Sequence, residues 1–222
     1  MWALGIESAG ERGGVALLGE DGRGYELTFD AGRVHAEALG TATDSLAQAV
    51  GIDRRDLGLV AVDVGPGSFT GIRIGMAFAA GIAQALKLPT VGVRQSEGLG
   101  LLAAKEWPGR VVVWIHDRGH HMYTAWVSGE KVGQESASTL ERALARLSGR
   151  AQVLVVGSGA RRFREELAPL APNVIAGLGY TYVPPLEVAR RGVEMWKGGA
   201  VVPAGELEPR YVHPPVRQGK EL

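Results

Sequence analysis

The stretch from Leu59 to Leu86 predicts a strand, a glycine turn and a helix in direct succession, and this order most constrains the fold. Its first residues form a short apolar run, interrupted by Asp63, with the composition of a largely buried strand. Gly65-Pro66-Gly67 ends the strand, because glycine adopts backbone angles that other residues avoid and proline fixes its own φ. A helix is predicted over Phe69–Leu86, and Ser68 is a suitable N-cap for it.

This predicted helix has an unusually low surface. Arg73 is its only charged residue, and eight of its positions are glycine or alanine. A second helix, predicted over Val34–Val50, is also rich in small residues. Because small residues three and four positions apart let another backbone come close, both helices are expected to pack tightly on more than one side.

The glycine turn has two interpretations. Exposed amides at a helix start can bind a phosphate, which makes Gly65, Gly67 and Ser68 candidate cofactor-binding residues, together with Gly157 and Gly159 in a second glycine turn. No Gly-Lys-Ser/Thr sequence follows the first turn, so it is not a P-loop. The same residues also fit a tight turn into a helix that lies against the sheet, with no ligand.

Composition excludes several classes of protein. Lys+Arg and Asp+Glu both number 24, so the chain lacks the basic surplus typical of proteins that bind nucleic acid by themselves. There are no cysteines, which excludes disulfides and thiolate metal sites. No signal peptide is recognised, and no apolar run approaches the roughly 20 residues of a membrane span. We therefore expect a cytoplasmic protein with no membrane partner.

The predicted elements repeat along the chain. Three meandering strands, a helix, a strand, a helix and a strand give a βββαβαβ order over the first hundred residues, and a shorter version of it follows. The sequence thus predicts a first lobe over 1–100, a reduced second lobe over 101–198 and an irregular tail over 199–222. Within the second lobe, a strand is expected over Lys131–Glu135 and a helix over Arg161–Leu167. A helix over Pro185–Lys197 is predicted to close this lobe.

Five stretches of the sequence resemble those of a known family. The segment Gly65–Gly75, GPGSFTGIRIG, resembles the signature GPGSFTG[LIV]RIG of the TsaB family, also called YeaZ. Four further stretches fit the family in order, namely Leu4–Ser8, Arg33–Glu37, Leu88–Val93 and Leu207–Tyr211. The similarity spans nearly the whole chain and is densest in the first hundred residues.

The resemblance implies an α/β fold of the actin/Hsp70-like (ASKHA) type, with two βββαβαβ-type lobes, the second reduced. It also implies a role in making N6-threonylcarbamoyladenosine at position 37 of tRNAs that read codons starting with A. In that pathway a TsaB-like subunit pairs with a catalytic homologue, TsaD, and with a P-loop ATPase, TsaE. The resemblance further implies a homodimer in isolation, only indirect contact with tRNA, and no cofactor in the isolated chain, with ATP or ADP confined to the interface of the complex.

The two helices rich in small residues, at about 34–50 and 69–86, would then form the partner surface as half of a four-helix bundle. The predicted interface residues are His35, Ala38, Leu39, Ala42, Leu46, Phe69, Ile72, Arg73, Met76, Ala77 and Ala80.

One position separates this chain from the catalytic subunit. That subunit carries a His-x-x-x-His pair just after the strand corresponding to Thr90–Val93, and on a helix this spacing puts both imidazoles on one face for a metal. This chain has Gln95 and Leu99 there. Neither side chain replaces an imidazole, so the sequence predicts no metal at this place, no catalytic residues and a scaffold rather than an enzyme.

The alternative hypothesis is a nucleotide-binding ATPase or phosphotransferase of the same superfamily that uses both glycine turns. Against it, Glu7 stands where the family has a first-strand aspartate, and His116 and His121 stand at acidic positions of the second lobe. His116, His120 and His121 also form the one ligand-like cluster. It fits either a small metal site or a surface hairpin with solvated histidines, and the second is favoured.

Overall fold

The structure is a computed structural model that describes residues 1–30, 35–147 and 152–212. Its first lobe follows the predicted order. The elements are β1 (Trp2–Glu7), β2 (Arg12–Gly19), β3 (Gly24–Asp30), α1 (His35–Val50), β4 (Leu57–Asp63), α2 (Phe69–Leu86) and β5 (Thr90–Val93). The sheet has the order β3-β2-β1-β4-β5, with β1, β4 and β5 parallel and β2 and β3 antiparallel to their neighbours. Ile6 lies opposite Val62, so β1 and β4 end side by side.

The second half repeats this topology. Its elements are α3 (Gln95–Glu106), β6 (Arg110–His116), β7 (His121–Ser128), β8 (Lys131–Val132), β9 (Ser136–Thr139), α4 (Leu140–Ala145), β10 (Val153–Val156), α5 (Ser158–Arg162), α6 (Arg164–Leu167), β11 (Val174–Ala176) and α7 (Pro185–Lys197). The sheet has the order β8-β7-β6-β10-β11, and β9 also pairs with β7. The antiparallel and parallel pairs match those of the first lobe, which confirms the two-lobed actin/Hsp70-like fold.

Several predicted bounds in the second lobe are wrong. The helix predicted over Arg161–Leu167 is two short helices, because Phe163 leaves the helical region (φ −112°, ψ 31°) and buries its ring in the outer core. The strand predicted over Lys131–Glu135 has only two residues, and β11 was not predicted. Short elements carry little periodic signal, so their ends depend on tertiary packing. Val34, the predicted start of α1, lies outside the described residues.

The two lobes exchange a helix. α3 follows the first sheet along the chain but packs on β6, β7 and β8. α7 follows the second sheet but packs on β1, β2 and β4, and it also contacts α3. Both helices therefore lie between the sheets in one shared core, while α1 and α2 cover the outer face of the first sheet and α4 to α6 that of the second.

This exchange corrects the predicted lobe boundaries. A division at residue 100 cuts through α3, and the stretch 101–198 includes α7, which belongs to the first lobe by its packing. The physical reason is that α7 carries its small residues, among them Ala189 and Gly192, toward the first sheet. Sequence order alone does not reveal which of two similar sheets a helix covers.

The described part of the tail, 199–212, contains one short 3₁₀ helix, Ala204–Glu206, and is tied to both lobes. Val202 forms an isolated bridge with Thr90, and the Arg210 amide donates to the Val64 carbonyl oxygen at 2.7 Å. The Arg210 side chain reaches Glu135 in the second lobe at 3.2 Å. The tail therefore crosses from one lobe to the other.

By length and composition alone, α2 is apolar enough to cross a membrane, contrary to the expectation that no segment would be. Helices of ordinary protein cores pass the same test. In this fold α2 lies against β4 and α1, and about a third of its apolar window, 33%, is buried. Ile72, Met76, Ala79 and Ala83 are buried in the core of the first lobe, and Ile74, Phe78, Ile82 and Leu86 pack against it partly buried.

Candidate functional site

An open cleft of about 1530 Å³ lies between the lobes. One side of the cleft is lined by the loop after β1, which contains Gly10, and by Ser68 at the start of α2. His116 at the end of β6 and Ser158 at the start of α5 line the other side, and Tyr211 of the tail lies at the rim. Both predicted glycine turns therefore face the same cleft.

The first glycine turn is filled by the chain's own backbone. A Cβ atom added to Gly67 would overlap the Ala9 carbonyl oxygen, and one added to Gly71 would overlap that of Ser8. The Ser68 amide donates to the Ala9 carbonyl oxygen at 2.8 Å, and the Ser8 hydroxyl donates to the Gly71 carbonyl oxygen at 2.9 Å. The loop after β1 thus sits on the start of α2, where a phosphate would have to bind.

Two further residues of this turn have structural roles. Gly65 has φ +96°, in the left-handed region that favours glycine. Ser68 is the N-cap of α2 as predicted, since its hydroxyl accepts a hydrogen bond from the Gly71 amide at 3.2 Å. The requirement for glycine and serine here is explained without a ligand.

The second glycine turn is occupied in the same way. Gly157 has φ +100°, and a Cβ on it would overlap the Trp114 carbonyl oxygen. A Cβ on Gly159 would lie 2.8 Å from the Trp114 Cβ. The helix that follows, α5, has only five residues, so it offers a weak dipole.

The positions of the missing ligand pair are buried. Gln95 is the first residue of α3 and reaches the cleft, while Leu99 packs in the shared core. Within residues 1–30, 35–147 and 152–212, no group of three or more His, Cys, Asp or Glu side chains could hold a metal ion. His116 and His120 instead place their rings edge-on against Phe163, with centroids 5.7 and 6.0 Å away.

A pair of buried carboxyl groups lies beneath the cleft, at the ends of β1 and β4. Glu7 and Asp63 are 1% and 0% exposed, respectively. Burial, and then the charge of Asp63, hold the pKa of Glu7 well above its usual value. Burial also raises the pKa of Asp63 to about 6. The sequence predicts Glu7 only as an altered nucleotide position and gives no sign of its pairing with Asp63.

A second buried cluster joins the lobes beside the cleft. Glu135 has a fully buried side chain that accepts hydrogen bonds from Arg94, Arg210 and Ser96. Glu97 accepts ion pairs from Arg94 at 3.2 Å and from Arg191 at 3.1 Å. Burial alone would raise the pKa of Glu97, but the two guanidinium groups outweigh it and leave the pKa lowered.

Sequence reasoning missed this cluster. The one available signal was Arg210 inside the Leu207–Tyr211 match, since a charged residue in a family motif suggests a specific partner. Glu135 gave no signal of its own, because its three partners come from residues 39 to 75 positions away.

Five of the predicted interface residues are buried in the chain's own core. Leu39, Ala42, Leu46, Ile72 and Met76 pack against the outer face of the first sheet. A partner cannot reach them without unfolding the lobe, so that part of the prediction is wrong. The apolar periodicity of a helix marks the face toward its own core, and this signal was mistaken for the partner face.

The other predicted interface residues lie at or near the surface. Phe69, Arg73 and Ala77 are exposed, and Ala38 and Ala80 are half-buried. His35 begins α1, but its side chain lies outside the described part of the chain. The solvent side of the two helices, here called the docking face, comprises Glu37, Thr41, Asp44 and Gln48 of α1 and Arg73, Ala77, Gly81 and Gln84 of α2.

The tail meets one end of the docking face. Tyr211 stacks on Phe69 with ring centroids 5.5 Å apart, and its hydroxyl accepts a hydrogen bond from Arg73 at 3.0 Å. The Arg73 guanidinium also lies 3.9 Å from the centre of the Phe69 ring. These three side chains connect α2, the tail and the rim of the cleft.

The fold and the cleft define a two-lobed protein of the actin/Hsp70-like class in which the chain itself fills both glycine turns. The family model described as TsaD, tRNA N6-adenosine threonylcarbamoyltransferase, matches residues 29–148, which is more than half of the chain. The chain therefore belongs to this family.

Similar proteins fall into two groups. An uncharacterized protein of Mycobacterium tuberculosis is 40% identical over 77 residues, which are 35% of this chain and 36% of that protein. A tRNA N6-adenosine threonylcarbamoyltransferase of Thermus thermophilus is 32% identical over 124 residues, 49% of this chain and 37% of that protein. The matches thus span little more than a third of the length of these relatives.

Solved structures also match, and some of them do so along nearly the full length of the chain. YeaZ from Pseudomonas aeruginosa superposes with a TM-score of 0.79 and 24% identity, covering 95% of this chain and 99% of the other. This likeness confirms the fold that the resemblance to the YeaZ proteins predicted.

Proposed function

We propose that the chain is a non-catalytic partner subunit in the synthesis of tRNA N6-threonylcarbamoyladenosine, and that it docks a TsaD-type catalytic homologue through the docking face. Membership of the TsaD family and the YeaZ-like fold support a role in this modification. The supporting observation for the non-catalytic part is that Gln95 and Leu99 hold the positions of the ligand pair. Leu99 lies in the apolar shared core, where it can bind no metal.

The shape of α2 carries the docking part of the proposal. Arg73, Ala77, Gly81 and Gln84 follow one another at helical spacing along its solvent side. A Cβ added to Gly81 would meet nothing within 4 Å, so the surface is open at this point. A helix with so low a profile lets a partner helix approach closely, as four-helix packing requires.

The other members of the proposed assembly follow from the resemblance. A TsaE-like P-loop ATPase would join the pair, ATP or ADP would bind at the interface, and tRNA would be contacted only through the partners. In isolation, the same docking face would form a homodimer, since an isologous surface can pair with its own copy. A cytoplasmic location belongs to the same proposal.

The substitution Ala77→Glu tests the docking face. It places a charge at the centre of the exposed stripe, so the purified variant should no longer co-elute with a TsaD-type homologue or restore tRNA modification in a reconstituted reaction. Ala145→Glu is the matched control, because Ala145 is an exposed helical alanine of the second lobe. A charge at the neighbouring position Gly75, as in Gly75→Arg, would not test the docking face. Gly75 is buried against Ser8, so that variant would disturb the fold itself.

Two results would contradict the proposal. Co-elution of Ala77→Glu at the wild-type level would show that the partner binds elsewhere. Calorimetry of the isolated chain with ATP and Mg²⁺ tests the alternative, an ATPase or phosphotransferase. Tight binding with turnover would favour that enzyme over a scaffold, whereas the filled glycine turns favour a flat trace.

A further inference from the structure

The carboxyl groups of Glu7 and Asp63 meet at the ends of two adjacent parallel strands, and each is fixed from one side. The Gly10 amide donates to Oε1 of Glu7 at 2.9 Å, and the Gly65 amide donates to Oδ1 of Asp63 at 2.6 Å. Both side chains are completely enclosed. Each carboxyl group therefore holds the loop that follows its own strand.

The second oxygen of each group has no partner of the usual kind. Oε2 of Glu7 and Oδ2 of Asp63 are buried without a hydrogen-bond donor from any other group in the described residues. The strand register, with Ile6 opposite Val62, places the two carboxyl groups side by side, and the charge of Asp63 acts on Glu7. Two ionised carboxylates are both acceptors, so a hydrogen bond between them requires that one of them carries a proton. A single proton would satisfy both oxygens at once.

A metal ion does not fit the same place. Mg²⁺ and Ca²⁺ take six or more oxygen ligands, several of which are usually waters, and this enclosed pair supplies two carboxyl groups without access for water. The two backbone amides point at the carboxyl oxygens and occupy positions that further ligands would need. An enclosed pair with two amide donors suits a proton and not a cation.

The charged groups around the pair do not neutralise it. Glu135 adds repulsion at Asp63, and its own charge is taken up by Arg94 and Arg210. The charges on the surrounding elements are exposed or paired elsewhere, namely those of Arg12, Glu37, Asp44, Arg73, Glu97 and Arg191. The remaining charged residues of α3 and α7 form surface ion pairs or are exposed.

We propose that Glu7 and Asp63 share one proton at neutral pH, and that this proton latches the loop after β1 to the loop that opens α2. The latch acts on contacts already described, from the Ser68 amide to Ala9 and from the Ser8 hydroxyl to Gly71. Loss of the proton leaves two buried negative charges in contact, which drives the loops apart at the floor of the cleft. The latch is independent of the proposed function.

The direction of the pH dependence follows from the two pKa values. Both are raised above their ordinary values of 4.5 and 3.8, to about 6 for Asp63 and well above 4.5 for Glu7. Above about pH 4 the folded pair therefore binds more protons than the unfolded chain does. Its contribution to stability is complete below the ordinary values and is lost as the pH rises through the folded ones.

The substitution Glu7→Gln tests the latch, because glutamine copies the shape of protonated glutamate and its amide can donate to Asp63. Between about pH 5 and pH 8, the unfolding equilibrium constant should rise with pH more steeply in the wild type than in the variant. The ratio of the two constants should increase by up to about tenfold per pH unit. Hydrogen exchange at the Ser68 amide, which bonds the Ala9 carbonyl oxygen, should stay protected to higher pH in the variant. Glu11→Gln, an exposed carboxyl on the same loop, should behave as the wild type.

Identical pH slopes for the wild type and Glu7→Gln would overturn the proposal. If Glu7→Gln does not fold, Asp63→Asn gives the same comparison from the other side of the pair. A ¹³C titration of the wild-type carboxyl carbons gives an independent outcome. One carboxyl still protonated at pH 7 supports the latch, and complete ionisation of all carboxyl groups by pH 6 excludes it.

Discussion

At the scale of single residues, Ser8 determines which positions of α2 must be glycine. The Ser8 carbonyl oxygen occupies the space where a Gly71 side chain would begin, and its hydroxyl oxygen occupies that of Gly75. Gly81, on the other side of the same helix, faces open solvent. Glycines within one helix thus have two different roles, close backbone contact at the start and a low outer surface toward the end.

This difference predicts opposite effects of alanine. Gly71→Ala should lower the free energy of unfolding by about 1–3 kcal/mol, because the new Cβ overlaps backbone that has no room to move. Gly81→Ala should raise it by about 0.5–1 kcal/mol, since alanine favours a helix and meets no neighbour. Urea denaturation of both variants measures the two changes. Equal effects from the two substitutions would contradict the packing of Ser8 on α2.

Sequence patterns identified residues whose role is local and missed those whose role depends on distant neighbours. The Ser68 cap was predictable because a cap acts within three residues. The pairing of Glu7 with Asp63 was not, although each acid ends a strand of the structure, since adjacency of those ends requires the strand order of the sheet. That Gln95 and Leu99 stand in place of two imidazoles is evident from the sequence without any structure.

At the scale of elements, the long helices α2 and α7 were predictable in extent but not in placement. The bounds of α2 and α7 agree with the periodicity of the sequence, because long helices with an apolar face give a strong signal. The periodicity does not say what the apolar face meets. The same limit explains both the wrong face assigned to α1 and the wrong sheet assigned to α7.

The packing of α7 on the first sheet can be tested by introducing valine at a buried position and at an exposed position of this helix. Gly192→Val should lower the free energy of unfolding by about 1–3 kcal/mol, because its Cβ would overlap Ala61 in β4 and push the helix off the first sheet. Glu194→Val, on the exposed side of the same helix, should change it by at most about 0.5 kcal/mol. Comparable losses in thermal denaturation would mean that α7 does not cover this sheet.

At the scale of the whole molecule, three segments far apart in sequence fasten the lobes together. Arg94 follows the first sheet, Glu135 belongs to the second lobe and Arg210 lies in the tail, and their side chains meet in one cluster. The tail also stacks Tyr211 on Phe69 of α2. The tail therefore contacts the first lobe, the second lobe and one end of the docking face.

The cluster predicts how the molecule responds when the tail is released. Arg210→Ala removes one of the cations from the buried Glu135, and the free energy of unfolding should fall by about 1–2 kcal/mol. The loss is smaller than for a fully buried pair, because Arg210 is 39% exposed and Arg94 remains.

Arg55→Ala, which breaks an exposed pair, should have little effect and serves as the control. A second change, Glu135→Gln, should recover part of the loss, since it removes a buried charge that has kept only one of its two cations, Arg94. Protease cleavage within 199–212 should be faster in Arg210→Ala than in the wild type and unchanged in Arg55→Ala. Equal cleavage rates in Arg210→Ala and Arg55→Ala would show that the ion pair does not hold the tail.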